Sequence, residues 1–198
     1  MRIEFIKCHG SGNDFPMIDA RAIRLSDAQW GTVARVLANR DGPVGGDGLL
    51  LMTPGDADHP IGFRMFNSDG SEAETCINGL LCVARLGLET LGLERAGMRL
   101  TNSVADARRA PAIAPGVATV AVRAGPASTD TRAIGLVGAG GAVIDAAIPA
   151  LPSDLRFTAV AMPNPHLVAF VDAIDEAALS RWGNGARARR RRCHGAPM

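Results

Sequence analysis

Cys76 closes a polar, turn-rich run, Asn67-Ser68-Asp69-Gly70-Ser71-Glu72-Ala73-Glu74-Thr75-Cys76, and leads through Ile77-Asn78-Gly79 into an apolar, helix-like stretch over 80–93. That order puts the sulfur at a helix N-terminus, where N–H groups without intrahelical partners and the positive end of the dipole favour thiolate over thiol. A thiolate so placed can accept a proton or attack an electrophile. The chain also carries side-chain amides beside turns at Asn13, Asn67, Asn78 and Asn164. Each can donate to a carboxylate and accept from an ammonium group, although any one alone is also the ordinary resident of an Asx turn. His166, in Pro163-Asn164-Pro165-His166, follows two prolines into a strand-like segment and taken alone reads as structural.

Other chemistries fit poorly. Cys8-His9, Cys76, Cys82 and Cys193-His194 show none of the short spacings of a structural zinc site, so no metal is expected. Gly10-Ser11-Gly12 could approach a phosphate, but Phe15 breaks the dinucleotide fingerprint and no P-loop pattern occurs. Four scattered cysteines do not make a disulfide framework, and no apolar run reaches a membrane-spanning length. With no signal-peptide pattern at Met1-Arg2-Ile3-Glu4, a cytoplasmic protein without membrane contact is expected.

The net charge of +1 is unevenly distributed. Six arginines and no acid lie in 181–198, so residues 1–180 are net acidic. A run such as 187–192 could neutralise phosphates, but it has no interleaved aromatics, and a disordered basic end is the expected state rather than a nucleic-acid site. The chain has 20 arginines against one lysine, Lys7, a usage typical of GC-rich coding DNA. The Arg-, Ala- and Gly-rich tail after Arg181 therefore also reads as a frameshifted end.

The elements that must position these residues can be read from periodicity. Alternation over 2–7 predicts a strand, and Gly10-Ser11-Gly12-Asn13-Asp14 a tight turn. Ser26-Asp27-Ala28-Gln29 matches a capping box ahead of Trp30, Val33, Ala34 and Leu37 at helical spacing. Strands are expected at 49–52 and 63–66, and the 80–93 helix, apolar on nearly every face, should be buried. Short Val- and Ala-rich pieces at 117–122, 142–147, 158–162 and 166–171 read as further strands, with a helix at 174–181. These predict a first lobe over 1–116, a partial second lobe over 117–180 and the basic tail over 181–198.

In order, the polar blocks resemble one family, the diaminopimelate epimerases. His9-Gly10-Ser11-Gly12-Asn13-Asp14-Phe15 is similar to their H-G-x-G-N-D-F opening, and Val44-Gly45-Gly46-Asp47-Gly48 to their second glycine turn. Phe66-Asn67-Ser68-Asp69-Gly70-Ser71-Glu72 resembles their N-x-D-G-S block, Cys76 to Cys82 their C-G-N-G-x-R-C, and Met162-Pro163-Asn164-Pro165-His166 their G-N-P-H. The resemblance implies an α+β fold of two similar lobes, each with sheets wrapped around a central helix. It also implies inversion at an α-carbon without a cofactor, converting LL-diaminopimelate to the meso form for lysine and cell-wall synthesis. Two cysteines on opposite faces of the α-carbon would exchange the proton, Cys76 being one and His166 assisting near the pair. Asn13, Asn67 and Asn164 would hold the substrate's amino and carboxylate groups, and the backbone at Ile77 and Asn78 the reacting carboxylate. The small-molecule amino acid is the expected partner, with a homodimer also compatible.

Three departures qualify that picture. Ile77 replaces the family's glycine after the cysteine, and a β-branched residue suits a φ > 0 turn poorly, so a distorted carboxylate cradle is expected. Leu81 stands where the family has arginine. Nothing in 173–198 resembles the family's partner-cysteine block, so a truncated second lobe and impaired activity are expected. A proline-racemase-like two-thiol enzyme and a catalytically dead fragment are the alternatives.

Overall fold

The computed structural model describes residues 2–73, 75–134, 141–148, 151–152, 154–162, 164–180 and 182–183. Pro163, Arg181, Cys193-His194 and, apart from Trp182 and Gly183, the whole expected basic tail lie outside them. The chain divides into two compact units, Met1–Gly125 and Pro126–Met198.

In the first unit, β1 (Ile6–Gly10) and β2 (Asn13–Asp19) form a hairpin across Ser11-Gly12. Both turn residues have positive φ, 49° and 94°, as a two-residue turn matched to strand twist requires. β1 starts at Ile6, later than the 2–7 reading, because pairing with Met17 begins there. Helix α1 (Asp27–Leu37) carries the expected capping box: Ser26 Oγ accepts from Gln29 N, and Gln29 Oε1 accepts from Ser26 N. β3 (Gly48–Pro54), β4 (Ile61–Asn67) and β5 (Glu72–Ala73) precede α2 (Ile77–Leu91), which ends on Gly92 at φ 65°. β6 (Arg95–Arg99), β7 (Val104–Ala110) and β8 (Thr119–Arg123) complete one sheet.

Its order is β1-β2-β3-β4-β6-β7-β8, with β5 on β4, parallel at β2–β3 and β4–β6 and antiparallel elsewhere. Helix α2 packs against every strand of that order, so the sheet curls around it. The period-two alternation of the strands sorts side chains into two cores. Met17, Leu50, Met52, Phe63 and Met65 meet Leu80, Val83, Ala84 and Leu88 of α2, whereas Ile18, Leu49, Leu51 and Phe66 meet Trp30 and Ala34 of α1. This is why 49–52 is apolar without interruption: β3 is covered on both faces. Full burial of each large side chain contributes roughly 1.5–3 kcal/mol. On α2 only Arg85, Glu89 and Thr90 are exposed, in line with its near-continuous apolar surface.

The unit boundary falls at Gly125/Pro126 rather than at Gly116. The 117–122 segment, assigned from sequence to the second lobe, is β8, and its register with β7 from Asp106↔Arg123 to Ala110↔Thr119 holds it in the first sheet.

In the second unit, β9 (Thr158–Met162) and β10 (Asn164–Val168) pair antiparallel, after a 3-10 turn at Thr131–Ile134. Ile134, Val143, Ile148, Phe157, Ala159 and Ala161 form its apolar cluster. The strand expected at 142–147 is present only as isolated bridges, Asp130↔Ala142 and Ala146↔Phe157, because Asp145 takes φ 45° and breaks the extended run. Residues 176–180 are helical, within the expected 174–181.

Candidate active site

Cys76 is the N-cap of α2, in extended conformation at φ −149° and ψ 113°. Its carbonyl accepts from Leu80 N at 2.8 Å, opening the helical ladder, while its Sγ accepts from Gly79 N at 3.5 Å. A long sulfur contact caps weakly, so the positive end of the helix stays largely uncompensated, and no acidic residue lies in the first turn. The N–H groups of Ile77 and Asn78 belong to the set that no helix can satisfy internally. A carboxylate is the natural occupant of such a terminus.

Ile77 does not distort this cradle. It is the first helical residue, and among the described residues only Ser11 and Asp145 are non-glycines with positive φ. The geometry here is that of a helix start, which a β-branched residue adopts without strain, rather than the left-handed turn anticipated for this position.

The β1–β2 hairpin delivers Asn13, the first residue of β2 and the partner of Gly10, to the same helix end. An added Cβ at Gly10 would overlap the carbonyl oxygen of Asn78 and lie 3.3 Å from its Cα, so the two backbones meet as closely as glycine permits. Across that junction Asn78 Nδ2 donates to Asn13 Oδ1 at 2.7 Å, and Asn13 Nδ2 donates to Asp47 Oδ2 at 2.9 Å. Asp47 also accepts from Asp14 N at 3.2 Å and from Arg40 at 2.7 Å, while Asp14 takes Arg40 at 2.5 Å and Lys7 at 2.7 Å. Lys7 Nζ further donates to Gly45 O. Asp47 thus fixes which end of the Asn13 amide points at Asn78, and each amide keeps an unused N–H or lone pair for a ligand. Asp47, Arg40 and Lys7 were not picked out from sequence as site residues. Asp47 meets Asn13 across 34 residues and Arg40 meets Asp14 across 26, and the only local signal was the glycine turn around Asp47.

The Arg40 hydrogen bond, then that of Lys7, lowers the Asp14 carboxyl to about 2, and Asn13 followed by Arg40 lowers that of Asp47. Both carboxylates are held below the ordinary 3.8, so their stabilising effect is present above about pH 4 and is lost as pH falls through the lowered values, about 2 for Asp14. Thermal midpoints measured from pH 6 to pH 2 should therefore fall more steeply in the native chain than in Arg40→Ala, which lacks the shared cation. Parallel curves would show that this network does not set acid stability.

Asn67, at the end of β4, is committed to a turn. Its Nδ2 donates to Ser71 Oγ at 3.0 Å and its carbonyl accepts from Gly70 N at 2.9 Å, which leaves Oδ1 to accept from a ligand. β4 register places it opposite Gly48, beside Asp47. The first unit therefore brings together Cys76, Ile77, Asn78 and Asn13, with Asn67 on the neighbouring strand end. Asn164 and His166 belong to the second unit, on β10, half-buried and exposed respectively. Leu167 packs into that unit's cluster, so by strand alternation Asn164 and His166 share the opposite face.

Access separates the thiols. Cys82 is 8 % exposed inside the α2 core, whereas Cys76 is half-buried at the helix end. Iodoacetamide at neutral pH is expected to modify Cys76 well ahead of Cys82, by mass-spectrometric peptide mapping. The reverse order would remove Cys76 from the accessible helix terminus.

Among the described residues no group of three or more His, Cys, Asp or Glu could hold a metal ion, and no helix is long and apolar enough to cross a membrane.

Comparison with known proteins agrees with the motif order. A family profile described as diaminopimelate epimerase matches residues 5–103. The chain is 36 % identical over 175 residues to the diaminopimelate epimerase of Listeria innocua, covering 86 % of this chain and 53 % of that one. It is 39 % identical over 184 residues to the enzyme of that name from Lactiplantibacillus plantarum, covering 87 % and 54 %. With the Heliobacterium modesticaldum protein it shares 35 % over 195 residues, covering 91 % and 65 %. The chain thus spans about half to two-thirds of the length of these relatives. Among solved structures it is similar to a predicted epimerase from Pseudomonas aeruginosa, with a TM-score of 0.61 at 17 % identity over 92 % of this chain and 67 % of that one. It is also similar to a Bacillus anthracis phenazine biosynthesis protein of the PhzF family, with a TM-score of 0.53 at 17 % identity over 85 % and 56 %. Those two likenesses concern the α+β fold alone.

Proposed function

We propose, since the chain belongs to the diaminopimelate epimerase family, that it removes and returns the α-proton of LL-diaminopimelate in the cytoplasm, toward the meso isomer and without a cofactor. The observation that carries the reading is the start of α2. A cysteine stands as N-cap beside two unsatisfied N–H groups with no acid to neutralise them. The α-proton of an amino acid is a very weak acid, and a thiolate alone is too weak a base to remove it. The difference has to come from stabilising the carbanion. Seating the substrate carboxylate on the N–H groups of Ile77 and Asn78 does this, because negative charge delocalised into the carboxylate grows there as the proton leaves. Cys76 Sγ, at the same helix end, is then the base on one face.

Asn13 and Asn78, held to each other and to Asp47, would orient the substrate's amino and carboxylate groups, with Asn67 Oδ1 accepting from the ammonium. By the resemblance of 162–166 to the family's block, Asn164 is proposed to bind the substrate's polar groups and His166 to act as an auxiliary acid or base. A proton returned to the far face requires a second thiol. Of the other two described cysteines, Cys82 is buried in the α2 core and Cys8 packs on the same cluster, so that role is assigned outside the described residues. The test is incubation of LL-diaminopimelate with the chain in D2O, followed by chiral separation and mass analysis. Deuterium should enter at one α-carbon. No incorporation above the protein-free control would sink the proposal.

A further inference from the structure

β1 lies along α2, and one close contact sets how the elements are aligned. At one end Gly10 abuts the backbone of Asn78. Two residues back along a strand cover about 6.8 Å, and four residues forward along a helix cover about 6 Å and return to the same helix face. The steps match, and they set Cys8 against Cys82. Cys8 is half-buried and packs on the apolar cluster that contains Cys82. Each thiol is the other's main electrostatic neighbour, which pushes the Cys8 thiol up and the Cys82 thiol down, with Arg85 adding to the second effect. In its other direction Cys8 Sγ reaches Phe15 O at 3.5 Å. Cys76 is placed differently. It sits six residues before Cys82, about 9 Å along the axis and on another face of the helix.

We propose that Cys8 and Cys82 are a two-electron redox pair, which a hydroperoxide closes into a disulfide tying β1 to α2. One thiolate of the pair attacks one peroxide oxygen, the O–O bond breaks, and the departing oxygen leaves as water, giving a sulfenic acid. The second sulfur then attacks that sulfenic sulfur, gives up its proton, and the hydroxyl leaves as a second water. Two thiols and one hydrogen peroxide become one disulfide and two waters. The bond would brace the junction that holds Asn13 against Asn78. The inference does not depend on the proposed epimerase activity.

The experiment is titration of the full chain with hydrogen peroxide, trapping of remaining thiols with N-ethylmaleimide in denaturant, and non-reducing peptide mapping. A Cys8–Cys82 peptide should be the dominant crosslink, about tenfold over any other pair. It should be accompanied by a rise in the thermal midpoint that dithiothreitol reverses and that Cys8→Ser abolishes. Crosslinks through Cys76 or Cys193 instead, or recovery of Cys8 and Cys82 as maleimide adducts after Cys76 is oxidised, would overturn it. The map of the unsubstituted chain decides the matter even where Cys8→Ser fails to fold.

Discussion

Cys76→Ala is expected to reduce α-deuterium incorporation into diaminopimelate by about 10²- to 10⁴-fold, the range for removal of a positioned acid or base. The alanine variant alone does not separate chemistry from structure, because Cys76 is also the N-cap of α2. Cys76→Ser makes that separation. Serine is a strong N-cap, and its oxygen can accept from Gly79 N with better geometry than sulfur does at 3.5 Å. The helix should therefore hold or gain about 0.5–1 kcal/mol. A serine hydroxyl is nonetheless far too weak an acid to supply a base at neutral pH, so exchange should be lost as fully as in alanine. Stability retained with exchange lost identifies the sulfur as the base. Exchange surviving in either variant, read by mass analysis in D2O, would show that the proton is taken by some other group.

Much of this site was legible in the sequence because its signals are local. A turn-rich run ending in Cys76 and followed by apolar helical spacing located the thiol at the helix start, although α2 begins three residues earlier than the 80–93 reading. The capping box of α1 and the Ser11-Gly12 turn are also written in adjacent residues. What escaped was long-range. Arg40 reaches Asp14 across 26 residues, Lys7 reaches it only once β1 and β2 pair, and Cys8 comes to α2 only when β1 lies on it. The concern over Ile77 came from matching a glycine letter by letter. The backbone there is helical, so the substitution costs the cradle nothing conformational. Strand 117–122 was recognised, but its sheet was not, since pairing with β7 is not a property of its own residues.

A large effect on folding is expected at Gly10. In Gly10→Ala the new Cβ meets the carbonyl oxygen, carbonyl carbon and Cα of Asn78, all backbone atoms, so no rotamer change relieves the clash. Either β1 lifts from α2 or the first turn of α2 shifts. Overpacking that side chains can absorb costs about 1–3 kcal/mol. Against fixed backbone the upper end or beyond is expected, a fall in thermal midpoint on the order of 10 °C. Gly12→Ala is the control. Gly12 has φ 94° but nothing within 4 Å of an added Cβ, so only the conformational penalty applies, roughly 1–2 kcal/mol. The two variants differ in consequence as well as size. Displacement at Gly10 breaks the Asn78–Asn13 hydrogen bond and moves the N–H groups that would hold the carboxylate, so exchange should fall even where the chain remains folded. Gly12→Ala should lose stability and keep its exchange rate when assayed well below its midpoint. Equal stability of Gly10→Ala and the native chain would mean that β1 does not press on the start of α2, and the placement of Asn13 beside Cys76 would fall with it.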